Sequence, residues 1–255
     1  MLRNRVIPCL LLKGQGLVKT TRFKDPKYVG DPINAIKIFN DKEVDELILL
    51  DITATKERRK PNFQMIAEVA SECFMPLAYG GGITTVEDAR RILKSGVEKV
   101  IFNTAAHKYP EVIRQATSEF GSQAVVVSID VKRKLMGRYE VFVEAGSVGT
   151  GANPVEYAQR MQALGAGELF LNAIDKDGTM SGYDLELIDK VLHMVDVPVI
   201  VSGGAGSIKD LAAAAGIGAK AMAAGAMFVF HGPHRAVLIT YPKPTELNWH
   251  LHYAT

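Results

Sequence analysis

The 255-residue chain carries only two cysteines, Cys9 and Cys73. That is too few for a disulfide framework or a four-cysteine zinc site, so a reducing cytoplasm is the expected compartment. Excess charge of one sign is missing as well, because thirty Lys and Arg stand against twenty-eight Asp and Glu, a net +2. Such a balance leaves no electrostatic footprint for nucleic acid or anionic lipid, and any phosphate binding has to be local. No secretory leader is legible: the run Ile7 to Leu12 is broken by Pro8 and followed by Lys13-Gly14 without a small-residue cleavage site. Ala212 to Phe230 is the one apolar stretch of membrane length, and Lys220 and three glycines interrupt it, so no membrane partner is expected. Linker-like and low-complexity segments are absent, which predicts one domain over residues 1–255.

What the chain does have is regular alternation. Eight short apolar runs recur, Val6–Leu11, Leu47–Ile52, Met75–Tyr79, Val100–Asn103, Ala124–Ile129, Leu169–Ala173, Val197–Val201 and Ala221–Ala224. Amphipathic stretches separate them, among them Pro32–Asn40, Thr85–Ser95, Pro110–Glu119, Pro154–Leu164 and Leu185–Val195. Strand alternating with helix predicts an α/β fold with a parallel sheet, and eight units can close into a (βα)8 TIM barrel. A repeat sharpens this, since Pro76-Leu-Ala-Tyr-Gly-Gly-Gly-Ile-Thr-Thr-Val-Glu-Asp88 reads like Pro198-Val-Ile-Val-Ser-Gly-Gly-Ala-Gly-Ser-Ile-Lys-Asp210 at an offset of 122. Glu46-Leu47 matches Glu168-Leu169 at the same offset, and Cys9–Lys13 aligns with Ser128–Lys132 at 119. The chain therefore reads as two (βα)4 half-barrels, about 1–123 and 124–230, with a C-terminal helix or tail over 231–255.

The glycine-rich turns Gly80-Gly81-Gly82 and Ser202-Gly203-Gly204-Ala205-Gly206 follow the third and seventh runs and precede helices. Glycine lets backbone N–H groups approach a phosphate, and the site after strands seven and eight is where barrels commonly hold one. Asn103-Thr104 and Gly225-Ala226 follow strands four and eight, giving each half one anion cradle. Paired cradles suggest a substrate with a phosphate at each end. Asp130 closes the fifth run and points to the barrel mouth, where a carboxylate can move a proton, while its repeat partner is Leu11. Asp51, Asp175 and Asp177 are further acids at strand ends, with turn formation or capping as the plain alternative. Lys19, in the long loop after strand one, can act as a mobile phosphate clamp or a solvated lysine. Arg5, Glu46, Lys99 and Glu168 precede apolar runs at the opposite rim, and a surface location is the plain expectation for four long charged side chains. His231-Gly-Pro-His234 lacks a third ligand, so neither a metal nor an organic cofactor is implied. Cys9 reads as a small core residue. Trp249-His-Leu-His252 carries no motif.

Taken together, Arg5-Val-Ile-Pro-Cys9, Leu50-Asp-Ile-Thr-Ala54, Gly80-Gly-Gly-Ile83, Asn103-Thr-Ala-Ala106, Phe120-Gly-Ser-Gln123, Asp175-Lys-Asp-Gly-Thr179, Gly182-Tyr-Asp184 and Ser202-Gly-Gly-Ala-Gly206 resemble HisF, the cyclase subunit of imidazole glycerol phosphate synthase. The likeness runs to about Phe230. It implies a barrel that receives ammonia from a HisH-type glutaminase docked at its base, forming a heterodimer, and joins that ammonia to a phosphorylated small molecule. It also implies an ammonia gate of Arg5, Glu46, Lys99 and Glu168, which displaces the surface expectation. Implied substrate and phosphate positions are Lys19, Asp51, Gly82, Asn103 and Thr104, with Asp177, Gly178, Gly204, Ala224 and Gly225 in the second half; Asp130 is the implied catalytic acid. Leu11 stands where the cyclase carries an essential aspartate, Ala226 where a cradle serine is usual, and Val143-Glu-Ala-Gly146 departs from the usual polar segment. The start Cys9–Gly14 and the ending Phe228–Pro242 are similar to a second HisF paralogue found with a HisH paralogue and a sugar amidotransferase in bacterial surface-polysaccharide pathways. The alternatives are a working cyclase of histidine synthesis, with a group such as Asp51 covering for Leu11, and a non-catalytic scaffold that docks a glutaminase.

Overall fold

Eight parallel strands close on themselves in the computed structural model, which describes residues 4–247. They are β1 (Arg5–Lys13), β2 (Leu47–Asp51), β3 (Leu77–Gly80), β4 (Lys99–Phe102), β5 (Val125–Arg133), β6 (Glu168–Ala173), β7 (Val199–Ser202) and β8 (Ala221–Ala224). Each pairs with its successor and β8 returns to β1, so no barrel edge is left open. Helices α1 (Pro32–Asp41), α2 (Phe63–Glu72), α3 (Val86–Lys94), α4 (Glu111–Phe120), α5 (Pro154–Ala163), α6 (Leu185–Leu192) and α7 (Ile208–Gly216) fill the crossovers. The predicted (βα)8 barrel is the fold.

The two glycine turns feed helices that start alike, which explains why the repeat is strongest there. Thr85 N–H donates to Asp88 Oδ2 at 3.0 Å, and Ser207 N–H to Asp210 Oδ2 at 2.9 Å, each carboxylate satisfying a donor that the first turn of α3 or α7 would leave open. Strand residues alternate between two apolar layers. Outward side chains such as Val6, Leu47, Val100, Leu169 and Met222 pack against the helices, while Ile7, Ile48, Ala78, Ile101, Val126, Phe170 and Ile200 fill the interior. Burial on both faces is why these strands read as continuous apolar runs.

Three segments depart from expectation. What reads as a long loop after β1 is an antiparallel flap, Gly16–Thr21 against Lys24–Gly30, with Leu11, Leu12 and Lys13 paired to its first strand. The fifth run continues past Ile129 to Arg133, since Asp130–Arg133 gain antiparallel partners in Tyr139–Phe142. Beyond β8 comes a four-residue helix, Ala226–Val229, and the segment assigned to helix or tail from residue 231 begins in a hairpin of Phe230–His231 with Ala236–Val237, before residues 244–247 turn helical. The Trp249–His252 segment lies outside the described residues. No helix among the described residues is long and apolar enough to cross a membrane.

Candidate functional site

The four ionic residues at the strand starts meet inside the base of the barrel. Arg5 Nη1 reaches Glu46 Oε2 at 2.5 Å and its Nη2 bonds Glu168 Oε1. Lys99 Nζ lies 2.9 Å from Glu46 Oε1 and 2.9 Å from Glu168 Oε2. Each carboxylate spends one oxygen on each cation, so the charges alternate round a closed ring. Glu46 and Glu168 are buried, and the plain expectation of surface placement is overturned for a physical reason: two buried acids are tolerable when each is held by two cations. Burial lowers the Arg5 pKa most, yet Glu168 and Glu46 outweigh it and hold it above the ordinary value. Above the ring the interior is apolar, with the small Ala78, Ala221 and Ala223 set among larger aliphatics and Phe170.

At the opposite end the strands open into a cavity whose two sides differ. Cys9, Leu11, Leu50 and Ile52 line one side, from β1 and the end of β2. Asn103, Ser128, Asp130, Asn172 and Ser202, from β4 to β7, line the other. Asp130 stands in the polar half across the barrel from Leu11. Its Oδ2 accepts from Asn103 Nδ2 at 3.2 Å and its Oδ1 from Ser128 Oγ at 3.3 Å. Burial raises the Asp130 pKa to about 7, a value that the Ser128 and Asn172 hydrogen bonds restrain. A carboxyl so placed exists in both protonation states near neutrality, which suits proton transfer.

Two further acids at the mouth, Asp177 and Asp51, are held by cations. Lys19 is no mobile loop cation: it lies on the flap, buried, with Nζ 2.7 Å from Asp177 Oδ1, while Thr20 Oγ1 donates to Asp177 Oδ2 at 3.2 Å. Asp51 is equally occupied, because Arg59 Nη2 lies 2.7 Å from its Oδ2 and the Thr53 and Ala54 N–H groups donate to its Oδ1, each at 3.1 Å. The Asp51 carboxylate is thereby tied into the β2–α2 loop. Asp175 Oδ2 accepts from the Arg133 N–H at 2.7 Å, joining the loop after β6 to the end of β5.

Both predicted cradles sit on the mouth face. Gly82 lines a basic recess with Arg58, Lys60, Thr104 and Lys108. The Thr104 hydroxyl accepts from the Glu144 N–H at 3.0 Å, drawing the β5 hairpin over it. In the second half, Gly178, Gly204, Ala224 and Gly225 line the cavity that holds Asp130. Glycine is compulsory at two of these points, since a Cβ on Gly178 (φ +71) would stand 2.1 Å from the Thr20 carbonyl oxygen, and one on Gly204 (φ +115) 2.2 Å from that of Gly182. His231 and His234 are exposed on the C-terminal hairpin, and no metal-binding group is found among the described residues. Cys9 is a buried thiol pushed up to about 12 by desolvation, not a nucleophile in waiting.

Ser128, Asn172 and Arg59 were not singled out by sequence reasoning, and Ser202 entered only as the first residue of the second glycine turn. For the three other than Arg59 a signal existed: Ser128 precedes Asp130 by two, Asn172 follows Glu168 by four, and Ser202 ends β7, all at inward positions of strands otherwise apolar. Arg59, in the loop run of five charged residues Lys56–Lys60, offered none.

The chain matches the family model described as histidine biosynthesis protein over residues 5–234. It is 55% identical over 249 residues to the “Putative imidazole glycerol phosphate synthase subunit hisF2” of Pseudomonas aeruginosa, covering 97% of this chain and 99% of that one. A Vibrio vulnificus protein, “Putative imidazole glycerol phosphate synthase subunit hisF3”, is 50% identical, with 96% and 95% covered. The “Imidazole glycerol phosphate synthase subunit HisF” of Alkaliphilus metalliredigens is 47% identical, with 91% of each chain covered.

Proposed function

We infer the function of this chain from its family, for it belongs to the histidine biosynthesis protein family as a (βα)8 barrel of the HisF type. We propose that it is the synthase subunit of a glutamine-dependent complex, with a HisH-type glutaminase docked at the base of the barrel. Ammonia released there would meet the Arg5, Glu46, Lys99, Glu168 ring. Lys99 suits the moving part, having one flexible stem and one Nζ that serves both carboxylates, whereas Arg5 needs a fork. Above the ring, apolar side chains would yield locally to a small neutral molecule, and the three alanines leave the least to displace. Ammonia would then emerge at Asp130, beneath the two anion cradles.

The single observation that carries the finer reading is Leu11. Acid and base work on a cyclising substrate uses two proton-transfer groups at the mouth, and leucine supplies none. Asp51 and Asp177, held by Arg59 and Lys19, do not replace it. We therefore read the chain as a paralogue that passes ammonia on, serving sugar amidination in surface-polysaccharide biosynthesis, with a sugar amidotransferase as the acceptor. Asp130 and the cradles favour a second reading, a cyclase that still binds a doubly phosphorylated substrate. One experiment separates them: the purified chain is given an ammonium salt and a phosphoribulosyl formimino carboxamide nucleotide, the cyclase substrate that the likeness to HisF implies. We expect no turnover, and a rise of at least about 10²-fold over that baseline in Leu11→Asp, the usual worth of a proton-transfer group. Efficient cyclisation by the wild type would overturn the paralogue reading.

A further inference from the structure

Among the described residues, five cations and a single acid line the recess of the first cradle. Lys56, Arg58, Arg59 and Lys60 come from the β2–α2 loop and Lys108 from the short helix Thr104–Lys108 after β4; the acid is Glu144, just past Val143 in the β5 hairpin. Arg59 is spent on Asp51 and Glu57, and Lys60 on Asp88. Lys56 and Arg58 pair with no carboxylate among the described residues. Lys108 is claimed from the hairpin side, where Glu144 Oε1 lies 2.5 Å from its Nζ.

Glu144 is anchored at its backbone as well. Its N–H donates to the Thr104 hydroxyl at 3.0 Å, and that hydroxyl donates its one hydrogen to Asn103 Oδ1 at 3.3 Å. The side-chain donor of Thr104, an implied phosphate ligand, is thus already used within the chain. Glu144 and Ala145 both take left-handed backbone, at φ +53 and +52, a conformation that non-glycine residues keep only where their surroundings impose it. The imposing contacts are the Thr104 bond, Ser147 Oγ on the Glu144 carbonyl at 2.6 Å and Lys132 Nζ on the Gly146 carbonyl at 2.6 Å. The hydrogen bond from Lys108, then its charge, with Arg58 adding to both, hold the Glu144 carboxyl below the usual range, so it is ionised at neutral pH.

We propose that Glu144 is an internal anion in the first cradle, and that a phosphate monoester gains the Lys108 charge there only by displacing it. The proposal rests on reading Gly82, Asn103 and Thr104 as an anion cradle. A dianion entering the recess beside an intact Glu144 pair meets a like charge and a lysine already neutralised. Glu144 therefore sets how strongly this seat holds a phosphorylated end, and selects against a doubly charged one.

The test is a titration of the full chain with inorganic phosphate at fixed pH, followed by backbone amide NMR. Gly82 and Thr104 report the first cradle, while Gly178 and Gly204 report the second in the same sample. Glu144→Gln keeps the backbone bond to Thr104 and removes the charge, so affinity at the first set should rise about fivefold, the worth of a partly exposed ion pair. Lys108→Met breaks the same pair but takes the cation away, and should leave affinity at or below that of the wild type. The second set lies across the mouth and should be unchanged, charge effects being screened over about 8 Å at physiological salt. Unchanged or weaker binding at the first set in Glu144→Gln overturns the proposal. So does an equal gain in Lys108→Met, which marks a loosened hairpin as the cause, and so does an equal gain at both sets. If phosphate moves the first set alike in wild type and Glu144→Gln, the cradle stands and the proposal falls; if it moves that set in neither, the cradle reading fails and takes the proposal with it.

Discussion

Replacing Asp130 by asparagine should make the protein more stable at neutral pH. The carboxyl is buried, accepts from uncharged groups that include Asn103 and Ser128, and is raised from 3.8 to about 7. Because the folded pKa exceeds the unfolded one, the folded state holds an extra proton between those values. Stability is therefore greatest below the unfolded pKa and declines as pH rises towards 7. A shift of that size corresponds to a penalty of about 4 kcal/mol at pH 7 and above. Asparagine removes the charge but turns one donor against another, costing about 1 kcal/mol. A net gain of about 2–3 kcal/mol remains, or roughly 5–10 °C in Tm for a chain of this size. Thermal unfolding of wild type and Asp130→Asn between pH 4 and pH 8 measures this directly. At the acid end the variant should melt slightly below the wild type, by the donor-against-donor cost of about 1 kcal/mol, and the curves should cross and then separate in its favour as pH rises. A variant that melts at or below the wild-type temperature at pH 8 would refute the argument that burial without a cation sets the state of Asp130. The gain, if found, identifies an acid kept at a stability cost, as functional groups commonly are.

Other outcomes follow from the same geometry. Lys99→Ala leaves Glu46 and Glu168 sharing Arg5 alone; we expect a loss of about 3 kcal/mol in denaturant unfolding. With the glutaminase docked, the same variant should release a larger share of glutamine-derived ammonia into solution, and an unchanged share would speak for a scaffold rather than a conduit. Arg59→Gln frees Asp51 from its ion pair and should loosen the β2–α2 loop, read as faster proteolysis between residues 53 and 60 with the barrel otherwise intact. Cys9 and Cys73, raised by burial to about 12 and about 11, should both alkylate slowly at pH 8, with the half-buried Cys73 ahead of Cys9. Rapid native labelling of Cys9, tracked by mass spectrometry, would show that the mouth is wetter than its lining suggests.

Much of this was legible in the chain itself, and for a local reason. Apolar runs of four to six residues separated by amphipathic stretches are the direct print of strands buried on both faces and helices buried on one, so the order and number of units needed no tertiary information. The turn glycines and the helix-starting acids Asp88 and Asp210 repeat because they answer backbone demands within a few residues. Asp130 and Leu11 stood out through that same repeat. Resemblance, rather than periodicity, marked Arg5, Glu46, Lys99 and Glu168, for which residue-level reasoning favoured the surface.

Closure of the barrel decided the rest. Arg5 and Glu168 lie 163 residues apart, and Lys19 and Asp177 158, so no local pattern announces that they touch. Whether a charge is costly or content depends on what stands beside it once water is excluded. Two buried glutamates become tolerable in a ring, Asp51 and Asp177 are neutralised by cations, and Asp130 is left without a counter-charge. Those distinctions rest on distances of a few ångströms between residues remote in sequence, and they exist only after the strands have met.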